Sequence, residues 1–354
     1  KAVPEATEYP RTIGKDGKLK VTRKNDWTEG FYPGCLWYVY EYTNKEDWKK
    51  AAIKWTESLE PLKKMTNHHD IGFLMYCSFG NAYRLTGNEA YKDVLVESAR
   101  SLCTRFNEKT GCIKSWNYRK SWNGKDEWFY PVIIDNMMNL ELLYFATKVT
   151  GDSVYAKVAN RHAETTAKNQ FREDYSNYHV VNYDAETGEV LNQATCQGFS
   201  DNSAWARGQA WAIYGYTMAY RETHRQDFLD MAVHTADFWL NHPNLPEDGI
   251  PYWDFNAGQE DYVPDWNYDP EIFKVVPRDA SAAAIVASAF LELSGYVTDG
   301  KKYSAAAAHI LKSLSSPAYL AEPGTNCNFI LMHSVGSIPH GEEIDVPLIY
   351  ADYY

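Results

Sequence analysis

The chain has no run of eighteen apolar residues, so nothing in the sequence predicts a membrane-spanning helix. It also lacks a surplus of positive charge, because 35 Lys and Arg face 47 Asp and Glu, for a formal net charge of −12. No basic stripe with interleaved aromatic residues stands out, as a nucleic-acid interface would require. The sequence therefore argues against a nucleic-acid partner and against a membrane span.

Cysteine is sparse, and the spacings typical of metal and redox sites are missing. The six cysteines include no Cys-x-x-Cys pair, which favours buried thiols, with a Cys103–Cys112 bridge as an open alternative. No His-Glu-x-x-His string occurs. The neighbours His68, His69 and Asp70 would point about 100° apart on a helix and could not chelate one ion from one face. We therefore predict neither a metal nor a cofactor.

What the sequence does contain is a repeated phrase, a Thr followed five positions later by an aromatic residue. Each copy follows an apolar stretch and contains or borders a helix-ending signal such as Gly87, Gly151 or Gly300, so each predicts the bend of a helical hairpin. Such repeats are typical of an open solenoid or a closed ring, and their uneven spacing favours the ring. The copies are Thr43/Trp48, Thr86/Tyr91, Thr150/Tyr155, Thr223/Phe228 and Thr298/Tyr303.

A chemically distinctive residue lies about sixteen positions before each repeated Thr, and somewhat further before the last. If each opens the first helix of its hairpin, that helix is about 24 Å long at about 1.5 Å per residue. All five residues would then meet at one end of the ring, where helix N-termini favour anions. For a single Asp, a simple helix cap is the alternative. The five are Trp27, Asp70, Asp135, Arg207 and Asp279.

The repeats also predict the domain organisation. They indicate one helical domain over residues 25–354, preceded by a poorly packed N-terminal arm over residues 1–24. The hydrophobic share of 45% supports a large core. Because the chain begins with Lys, we expect that a leader was removed or that the chain was trimmed.

Asp135 and Asp70 are the first candidates for chemistry. Asp135 directly follows Pro, Val and Ile residues, and burial there would raise its pKa. A nearby Asp70 would raise one pKa of the pair further and leave the other carboxyl ionised. A carboxyl that stays protonated near neutral pH can serve as a general acid. A buried Asp that only caps its helix is the alternative.

The segment that opens the fourth hairpin is unusually rich in polar and aromatic residues. Gln193, Thr195 and Gln197 alternate with Ala and Cys, which predicts three polar groups on one side of an extended segment. Arg207 and Trp211 lie one helical turn apart, and they suit a carboxylate and the apolar face of a sugar respectively. An Arg paired with a local Asp and a Trp in the core are the alternatives.

Aromatic residues make up 15% of the chain, including 12 Trp and 27 Tyr. This share favours a groove for carbohydrate, although large cores also contain many aromatic residues. His179 in a strand-like run is a weaker candidate, as are Ser334 and Ser337 on a Gly-punctuated loop. A purely structural role is the alternative for each of these three.

Five strings in this order, HHDIGF, IIDNMMNL, SAWARGQAW, PRDASAAAI and EIDVPLIYADYY, resemble the unsaturated glucuronyl hydrolases of glycoside hydrolase family 88. The resemblance runs from about Trp27 to Tyr354. It implies an all-α (α/α)6 barrel of six helical hairpins with short β segments in loops. The sixth bend, near Leu314 to Leu320, lacks the repeated phrase. The implied substrates are glycosaminoglycan disaccharides or short oligosaccharides with a 4,5-unsaturated uronic acid at the non-reducing end.

By this resemblance, Asp135 is the general acid that protonates C4 of the enol ether and activates the water that adds at C5. Asp70 would hold the substrate and raise the pKa of Asp135. Some members bind sulfate with a Ser-x-x-Ser pair and a Lys two positions later; Pro339 stands there in this chain, which argues against a strong preference for sulfate. The implied substrate-binding residues are His179, Thr195, Gln197, Trp205, Arg207, Trp211, Trp122, Ser334 and Ser337.

Other functions stay open at this point. The sister family of unsaturated rhamnogalacturonyl hydrolases shares the barrel and the reaction but takes a pectin fragment, and the HHDIGF string favours the glucuronyl family. A toroid that binds glycan without turnover would use the same aromatic residues. A ring like that of the terpenoid cyclases is disfavoured because no DDxxD string is present. For location, a role in degrading imported oligosaccharides suggests the periplasm, with the cytoplasm as the alternative.

Overall fold

The computed structural model describes residues 6–23, 25–121, 124–271 and 273–354. These residues contain twelve α-helices, most of them in consecutive pairs. In the first half of the chain they are α1 (Phe31–Thr43), α2 (Glu46–Glu57), α3 (Ile71–Met75), α4 (Asn81–Thr86), α5 (Glu89–Cys103), α6 (Leu140–Thr150) and α7 (Val154–Asn169). In the second half they are α8 (Ala206–Thr223), α9 (Gln226–Asn241), α10 (Ala280–Leu293), α11 (Lys301–Leu314) and α12 (Ile349–Tyr353).

The paired helices form a ring with an inner and an outer layer. The inner helices α8 and α10 are buried on nearly all sides, whereas their partners α9 and α11 bury one face and expose the other. Within the described residues five hairpins are complete: α1–α2, α4–α5, α6–α7, α8–α9 and α10–α11. Helix α12 takes the sixth inner position, because it packs against both α1 and α10.

The chain therefore forms the predicted α/α barrel, but the sixth bend was placed wrongly. Residues 315–320 follow α11 as a turn and lead to a short bridge between Leu320 and Leu331, not to a second helix. The inner helix of the sixth position begins only at Ile349. Leu314 is the last residue of α11, so this stretch ends the fifth hairpin and does not join the two helices of a sixth.

The repeated Thr explains where four of the hairpins bend. Its hydroxyl donates to the carbonyl oxygen four residues earlier in the last helical turn, at 2.6–2.7 Å. A residue in the left-handed conformation then ends each helix, at Asn44, Gly87, Gly151 and His224. The fifth copy differs, because α10 already ends at Leu293 and Thr298 lies in the longer connection to α11.

Short strands occupy the connections. Eight of them form four two-stranded antiparallel pairs, and β7, β8 and β9 form a three-stranded antiparallel sheet. The strand β7 leads directly into a 3-10 helix, Ile134–Asn139, and then into α6. The strands are β1 (Tyr9–Ile13), β2 (Leu19–Thr22), β3 (Phe106–Asn107), β4 (Cys112–Ile113), β5 (Arg119–Lys120), β6 (Glu127–Trp128), β7 (Pro131–Ile133), β8 (Val180–Tyr183), β9 (Val190–Ala194), β10 (Ser334–Ser337) and β11 (Glu342–Val346).

Residues 9–22 pack against the ring instead of forming a loose arm. They fold into the β1–β2 hairpin, and the side chain of Thr12 donates to the carbonyl oxygen of Pro347 at 2.6 Å. Arg11 pairs with Glu343 from the other end of the chain. The prediction of a poorly packed arm is therefore wrong for this stretch, because two of its partners, Glu343 and Pro347, lie more than 330 residues away in sequence.

The cysteines carry no cross-link. None of the six, all of which lie in the described residues, forms a disulfide, so the alternative of a Cys103–Cys112 bridge is wrong. Burial raises the pKa of both thiols to about 12. The prediction of buried thiols is confirmed for Cys77, Cys112 and Cys196, whereas the other three are half-buried.

One continuous core fills the space between the two helical layers. Aromatic residues dominate it, and Trp37, Trp211, Trp239 and Trp253 are almost completely buried. Much of the aromatic content of the chain therefore stabilises the ring itself. None of the helices in the described part of the chain combines the length and the apolar character that a bilayer crossing demands.

Candidate active site

The residues that open the inner helices meet at one end of the ring, as their register predicted. Trp27 packs on Tyr350 with 4.9 Å between ring centroids, and the guanidinium of Arg207 lies 5.3 Å from the same Tyr350 ring. Arg207 also pairs with Asp279 at 3.2 Å. The five are Trp27 before α1, Asp70 at the start of α3, Asp135 in the 3-10 helix before α6, Arg207 in the first turn of α8 and Asp279 at the start of α10.

Asp70 lies between two histidines at this end. Its two carboxylate oxygens are each 3.3 Å from a ring nitrogen, Oδ2 from Nδ1 of His68 and Oδ1 from Nε2 of His69. Burial alone would raise the pKa of Asp70, but His69, His68 and Arg105 outweigh it and lower the pKa. Burial lowers the pKa of His69 to about 4. Asp70 is therefore ionised at neutral pH.

Asp135 has the opposite protonation behaviour. It is 8% exposed, and its Oδ2 atom has no hydrogen-bond partner within the described residues. Burial raises the pKa of Asp135 to about 7; the charge of Arg207 opposes this shift and the charge of Asp70 adds to it. The pKa values of the two carboxyls are thus shifted in opposite directions, as the sequence predicted, and Asp135 retains its proton in about half of the molecules at pH 7.

The three-stranded sheet places His179 beside Asp135. Because Ile133 pairs with Val180 across β7 and β8, the residues next to them in sequence also become neighbours. The backbone N–H of Ile134 donates to the carbonyl oxygen of His179 at 3.1 Å. As a result, Nε2 of His179 lies 3.6 Å from Oδ2 of Asp135.

The ring of His179 is held as a single neutral tautomer. Its Nδ1 atom accepts from the backbone N–H groups of Cys196 and Gln197, each at 3.1 Å. Burial lowers the pKa of His179 well below its usual value, and the nearby cation Arg207 lowers it further. Since Nδ1 is an acceptor and the ring is neutral, Nε2 carries the hydrogen and presents it to Asp135.

A close backbone approach fixes the segments that carry the two carboxyls relative to each other. The side-chain oxygen of Asn139 accepts from the backbone N–H of Phe73 at 2.9 Å, which joins the 3-10 helix after Asp135 to the helix after Asp70. A Cβ atom on Gly72 would lie 2.5 Å from the Cα atom of Asn139. Only a glycine permits this contact without a shift of the backbone.

Arg207 is 1% exposed, and its terminal nitrogens already have protein partners. They donate to the carbonyl oxygens of Val335 and Gly336 and pair with Asp279. Only Nε has no acceptor in the described part of the chain. The alternative of an Arg paired with an Asp is therefore what the structure shows, although the partner is Asp279 and not a local residue. Arg207 contributes positive charge beside Asp135 and holds β10 in place.

Two tryptophans line the same region. Trp205 stacks on the ring of His179, with 4.3 Å between centroids, and on the guanidinium of Arg207 at 4.5 Å. Trp211 packs against Phe73 at 5.2 Å and is completely buried. The indole of Trp211 also lowers the pKa of Asp135. Trp211 therefore fits the alternative of a tryptophan in the core. It also lies beside the carboxyl of Asp135.

The predicted row of three polar side chains on one side of an extended segment is wrong. The strand β9 ends at Ala194, so the alternation stops after Gln193, which is exposed and donates to the carbonyl oxygen of Asn169. Thr195 is 8% exposed, and its hydroxyl accepts from the backbone N–H of Gly198 in the following turn. Gln197 is half-buried, and its contact with the site is the hydrogen bond that its backbone N–H donates to Nδ1 of His179.

The two candidate serines lie on β10. Ser334 is fully buried, and its hydroxyl has no partner in the described residues. Ser337 is 6% exposed, and its Oγ atom lies 2.5 Å from Nδ1 of His340. Trp122, the remaining candidate, lies outside the described residues.

The sequence profile of Glycosyl Hydrolase Family 88 matches residues 5–244. The chain belongs to this family. It is 49% identical over 352 residues to the unsaturated glucuronyl hydrolase of Formosa agariphila, a match that covers 99% of this chain and 83% of that protein. It is 34% identical over 368 residues to the unsaturated chondroitin disaccharide hydrolase of Streptococcus agalactiae, covering 98% and 84%. The family 88 chain is therefore a glycoside hydrolase.

Solved structures agree with this assignment. The crystal structure of an unsaturated glucuronyl hydrolase specific for heparin superposes with a TM-score of 0.91 at 47% identity, covering 99% of this chain and 89% of that one. A mutant of the Streptococcus agalactiae enzyme complexed with dGlcA-GalNAc6S gives a TM-score of 0.79 at 31% identity, covering 99% and 84%. The predicted family and its (α/α)6 barrel are confirmed.

Sequence reasoning missed three residues at the family 88 site. Trp116 meets the ring of His179 edge-on, with 6.3 Å between centroids. Arg119 lies over Trp116 at 4.7 Å, and its NH2 atom is 2.7 Å from Nε2 of His340. The signal was the run SWNYRKSWNGK, in which aromatic and basic residues precede a Gly. Runs of this kind are common in surface loops, and the family resemblance selected only Trp122 from this one; His340 lies outside the run.

Many polar atoms around Asp135 have no hydrogen-bond partner within the described chain. Such buried groups are rare in proteins unless a ligand or water satisfies them. A ligand with many hydroxyl or carboxylate groups would satisfy those that lie at this end of the ring. The atoms are Nε2 of His68, His69 and His179, Oδ2 of Asp135, Nε1 of Trp205 and Trp211, Nε of Arg207 and Oγ of Ser334.

Proposed function

We propose that this chain removes a 4,5-unsaturated glucuronic acid from the non-reducing end of glycosaminoglycan-derived disaccharides and short oligosaccharides by hydrating the double bond. The observation that carries the proposal is the buried carboxyl of Asp135, whose pKa is raised to about 7 beside an ionised Asp70. A vinyl ether needs a proton donor that is strong enough to protonate carbon yet still protonated at working pH, and Asp135 meets both needs.

In the proposed reaction, the proton of Asp135 adds to C4, and the electron pair of the double bond forms the new C–H bond. The ring oxygen stabilises the positive charge at C5. Water then attacks C5 and returns one proton to the carboxylate of Asp135. The resulting hemiketal opens to a ketone, and the exposed C1 hemiacetal releases the next sugar with a free hydroxyl. One water is consumed, and the acid is regenerated.

The neighbouring residues stabilise the charges that this sequence creates. The Nε2–H of His179 faces Oδ2 of Asp135 at 3.6 Å and stabilises the carboxylate that remains after proton transfer. Asp70 stays ionised, keeps the pKa of Asp135 high and accepts hydrogen bonds from sugar hydroxyls. Trp205 presents to the same region an aromatic face and an indole N–H that has no acceptor among the described residues.

The substrate class rests on the relatives and on the chemistry of the site. The matched proteins are named for unsaturated glucuronyl and unsaturated chondroitin disaccharide substrates, and one neighbour is specific for heparin. We assign substrate binding to His179, Thr195, Gln197, Trp205, Arg207, Trp211, Ser334 and Ser337. For Thr195 and Gln197, backbone and turn contacts support a role in shaping the site. The compartment stays a prediction, with the periplasm first and the cytoplasm second.

The experiment is turnover of unsaturated chondroitin and heparin disaccharides, next to an unsaturated rhamnogalacturonyl disaccharide, in D2O. We expect loss of the ultraviolet absorbance of the conjugated double bond and one deuterium at C4 of the product. Asp135→Asn should lower kcat/KM by at least about a hundredfold. The exposed Asp152→Asn is the matched control.

Each rival function has its own outcome in this experiment. Sugar release with the double bond intact would contradict hydration. Faster turnover of the pectin-derived substrate would assign the chain to the rhamnogalacturonyl activity. Saturable binding without turnover, unchanged by Asp135→Asn, would support a toroid that only binds glycan.

A further inference from the structure

Arg105 is a buried cation that joins two segments of the chain near the ionised carboxyl of the site. It follows α5 and is 8% exposed. NH1 of its guanidinium donates to the carbonyl oxygen of Thr66, in the segment that leads into α3. Nε donates to the carbonyl oxygen of Lys114 at 2.7 Å, and NH2 to that of Ser115 at 3.3 Å. The guanidinium therefore holds the segment before α3 against the segment between β4 and β5.

Ser115 extends this connection to the segment that carries Asp135. Its carbonyl oxygen accepts from NH2 of Arg105 and from the backbone N–H of His69, the latter at 3.1 Å. Its hydroxyl oxygen accepts from the backbone N–H of Ile133 at 2.9 Å. Ser115 is completely buried, so these bonds have no competition from solvent. The segments that carry the two carboxyls are thus bonded to one residue, and Arg105 is bonded to the same residue.

The acceptors of the Arg105 guanidinium are all neutral within the described residues. Three are the carbonyl oxygens, and the fourth is the side-chain oxygen of Asn117 at 3.3 Å. Arginine does not lose its proton in proteins, so a permanent positive charge is buried here. Asp70 is the carboxylate whose charge acts on this guanidinium. The two charges therefore stabilise each other without a direct ion pair.

The other groups that act on Asp70 do not supply a constant positive charge. Burial raises the pKa of this carboxyl, whereas His69, His68 and Arg105 lower it. Burial lowers the pKa of His69 to about 4, so its ring is neutral at neutral pH. His68 loses its charge as pH rises. Asp135 contributes only negative charge when it ionises. Among these groups, Arg105 is the cation that persists at every working pH.

We infer that Arg105 is a positioning residue for the reaction: it clamps the segment that leads to Asp70 and supplies the permanent positive charge that keeps this carboxyl ionised. The inference rests on the proposed function, in which an ionised Asp70 binds sugar hydroxyls and keeps a proton on Asp135. A protonated Asp70 would carry no charge to raise the pKa of Asp135. Arg105 bonds to the backbone and not to the reacting carboxyl, so it acts through Asp70.

The test measures kcat/KM for an unsaturated chondroitin disaccharide across pH in Arg105→Gln, which removes the charge, and in Arg105→Lys, which keeps it. We expect the acidic limb of Arg105→Gln to move to higher pH. The ratio of kcat/KM at about pH 5 to that at about pH 6.5 should fall at least about threefold below the wild-type ratio. The basic limb should stay in place, because the charges that act on Asp135 are those of Arg207 and Asp70. Arg105→Lys should keep the wild-type limb even where it lowers stability.

Arg172→Gln is the matched control. Arg172 also donates to three backbone carbonyl oxygens, those of residues 177, 201 and 203, but its charge acts on Asp254. This variant should leave both limbs in place. An acidic limb that does not move in Arg105→Gln, or that moves equally in Arg105→Gln and Arg105→Lys, would overturn the inference.

A direct titration separates this inference from the proposed function. In the full chain labelled with carbon-13 at the aspartate carboxyls, the NMR signal that is absent from Asp70→Asn belongs to Asp70. In the wild type this signal should titrate below 3.8, and in Arg105→Gln it should titrate at higher pH than in the wild type. If no sugar is turned over while the signal moves in this way, the proposed function fails and the role of the charge stands. A wild-type midpoint at or above 3.8 would refute the inference even where Arg105→Gln does not fold.

Discussion

Nε2 of His179 lies 3.6 Å from Oδ2 of Asp135, and the opposite nitrogen of the same ring accepts two backbone N–H groups. The backbone of residues 196 and 197 therefore decides which nitrogen of His179 carries its hydrogen. A neutral donor beside a neutral acid adds no charge to the site before reaction. Once Asp135 loses its proton, the same N–H group stabilises the carboxylate.

The pH dependence of kcat/KM should reveal the coupling between the two carboxyls. In the wild type we expect activity to fall as pH rises past about 7, where Asp135 loses its proton. Asp70→Asn removes a negative charge that raises this pKa, so the basic limb of the profile should move to lower pH. Activity measured across pH with each variant checks the position of that limb, whatever its height. Asp152→Asn should leave it in place.

The stability of the protein should depend on pH through Asp135. Below about pH 4 the carboxyl is protonated both in the folded and in the unfolded chain. Between about pH 4 and 7 Asp135 ionises only in the unfolded chain, because its pKa in the folded protein is raised from 3.8 to about 7. The free energy of unfolding of the wild type therefore decreases progressively over this range. Asp135→Asn cannot ionise. Its stability relative to wild type should rise over the same range by at most a few kcal/mol and then level off.

Chemical denaturation of the wild type and of Asp135→Asn at several pH values from about 4 to 8.5 measures this difference. The exposed Asp152→Asn should show no comparable trend. A difference that stays constant from acid to alkaline pH would mean that Asp135 titrates with an ordinary pKa in the folded protein.

Arg207→Lys should destabilise the fold although it keeps the charge. A lysine cannot reach the carbonyl oxygens of Val335 and Gly336 and the carboxylate of Asp279 together, so buried acceptors would lose their donors. We expect a loss of about 2–4 kcal/mol in the free energy of unfolding. The half-buried Arg225→Lys should change it by about 0.5 kcal/mol or less. Equal effects of the two variants would contradict the structural role of Arg207.

All six cysteines should react as free thiols, because the structure contains no disulfide among them. Because Cys103 and Cys112 form no disulfide, a reductant should leave the melting temperature unchanged. Titration of the denatured, unreduced chain should give all six cysteines as thiols. Fewer thiols before reduction than after it would show a bridge that the structure lacks.

The helical ring was predictable because its signals are local. A Thr whose hydroxyl donates to a carbonyl oxygen of its own helix, followed by a residue in the left-handed conformation, ends the helix within about six adjacent residues. Thr43 and Asn44 are an example. The common end of Asp70, Asp135 and Arg207 followed from counting back from those bends. The fifth copy shows the limit of the method, because Thr298 carries the phrase without ending a helix.

The features that sequence reasoning missed depend on contacts between distant segments. The β1–β2 hairpin is held by Pro347 and Glu343, and Arg207 finds its carbonyl partners 128 and 129 residues away. Arg119 became a candidate only when the fold placed it next to His340. No periodicity or spacing within one segment encodes such pairings, so they required the folded chain.

The contact between Gly72 and Asn139 has a consequence for how relatives of this protein can diverge. It links the segments that bear the two carboxyls through Asn139 and the backbone of residues 72 and 73, all of them buried inside the ring. Insertions or substitutions in the surface loops can therefore change the entrance for new sugars while the separation of the two carboxyls stays the same. The fold separates the part that selects a substrate from the part that moves its proton.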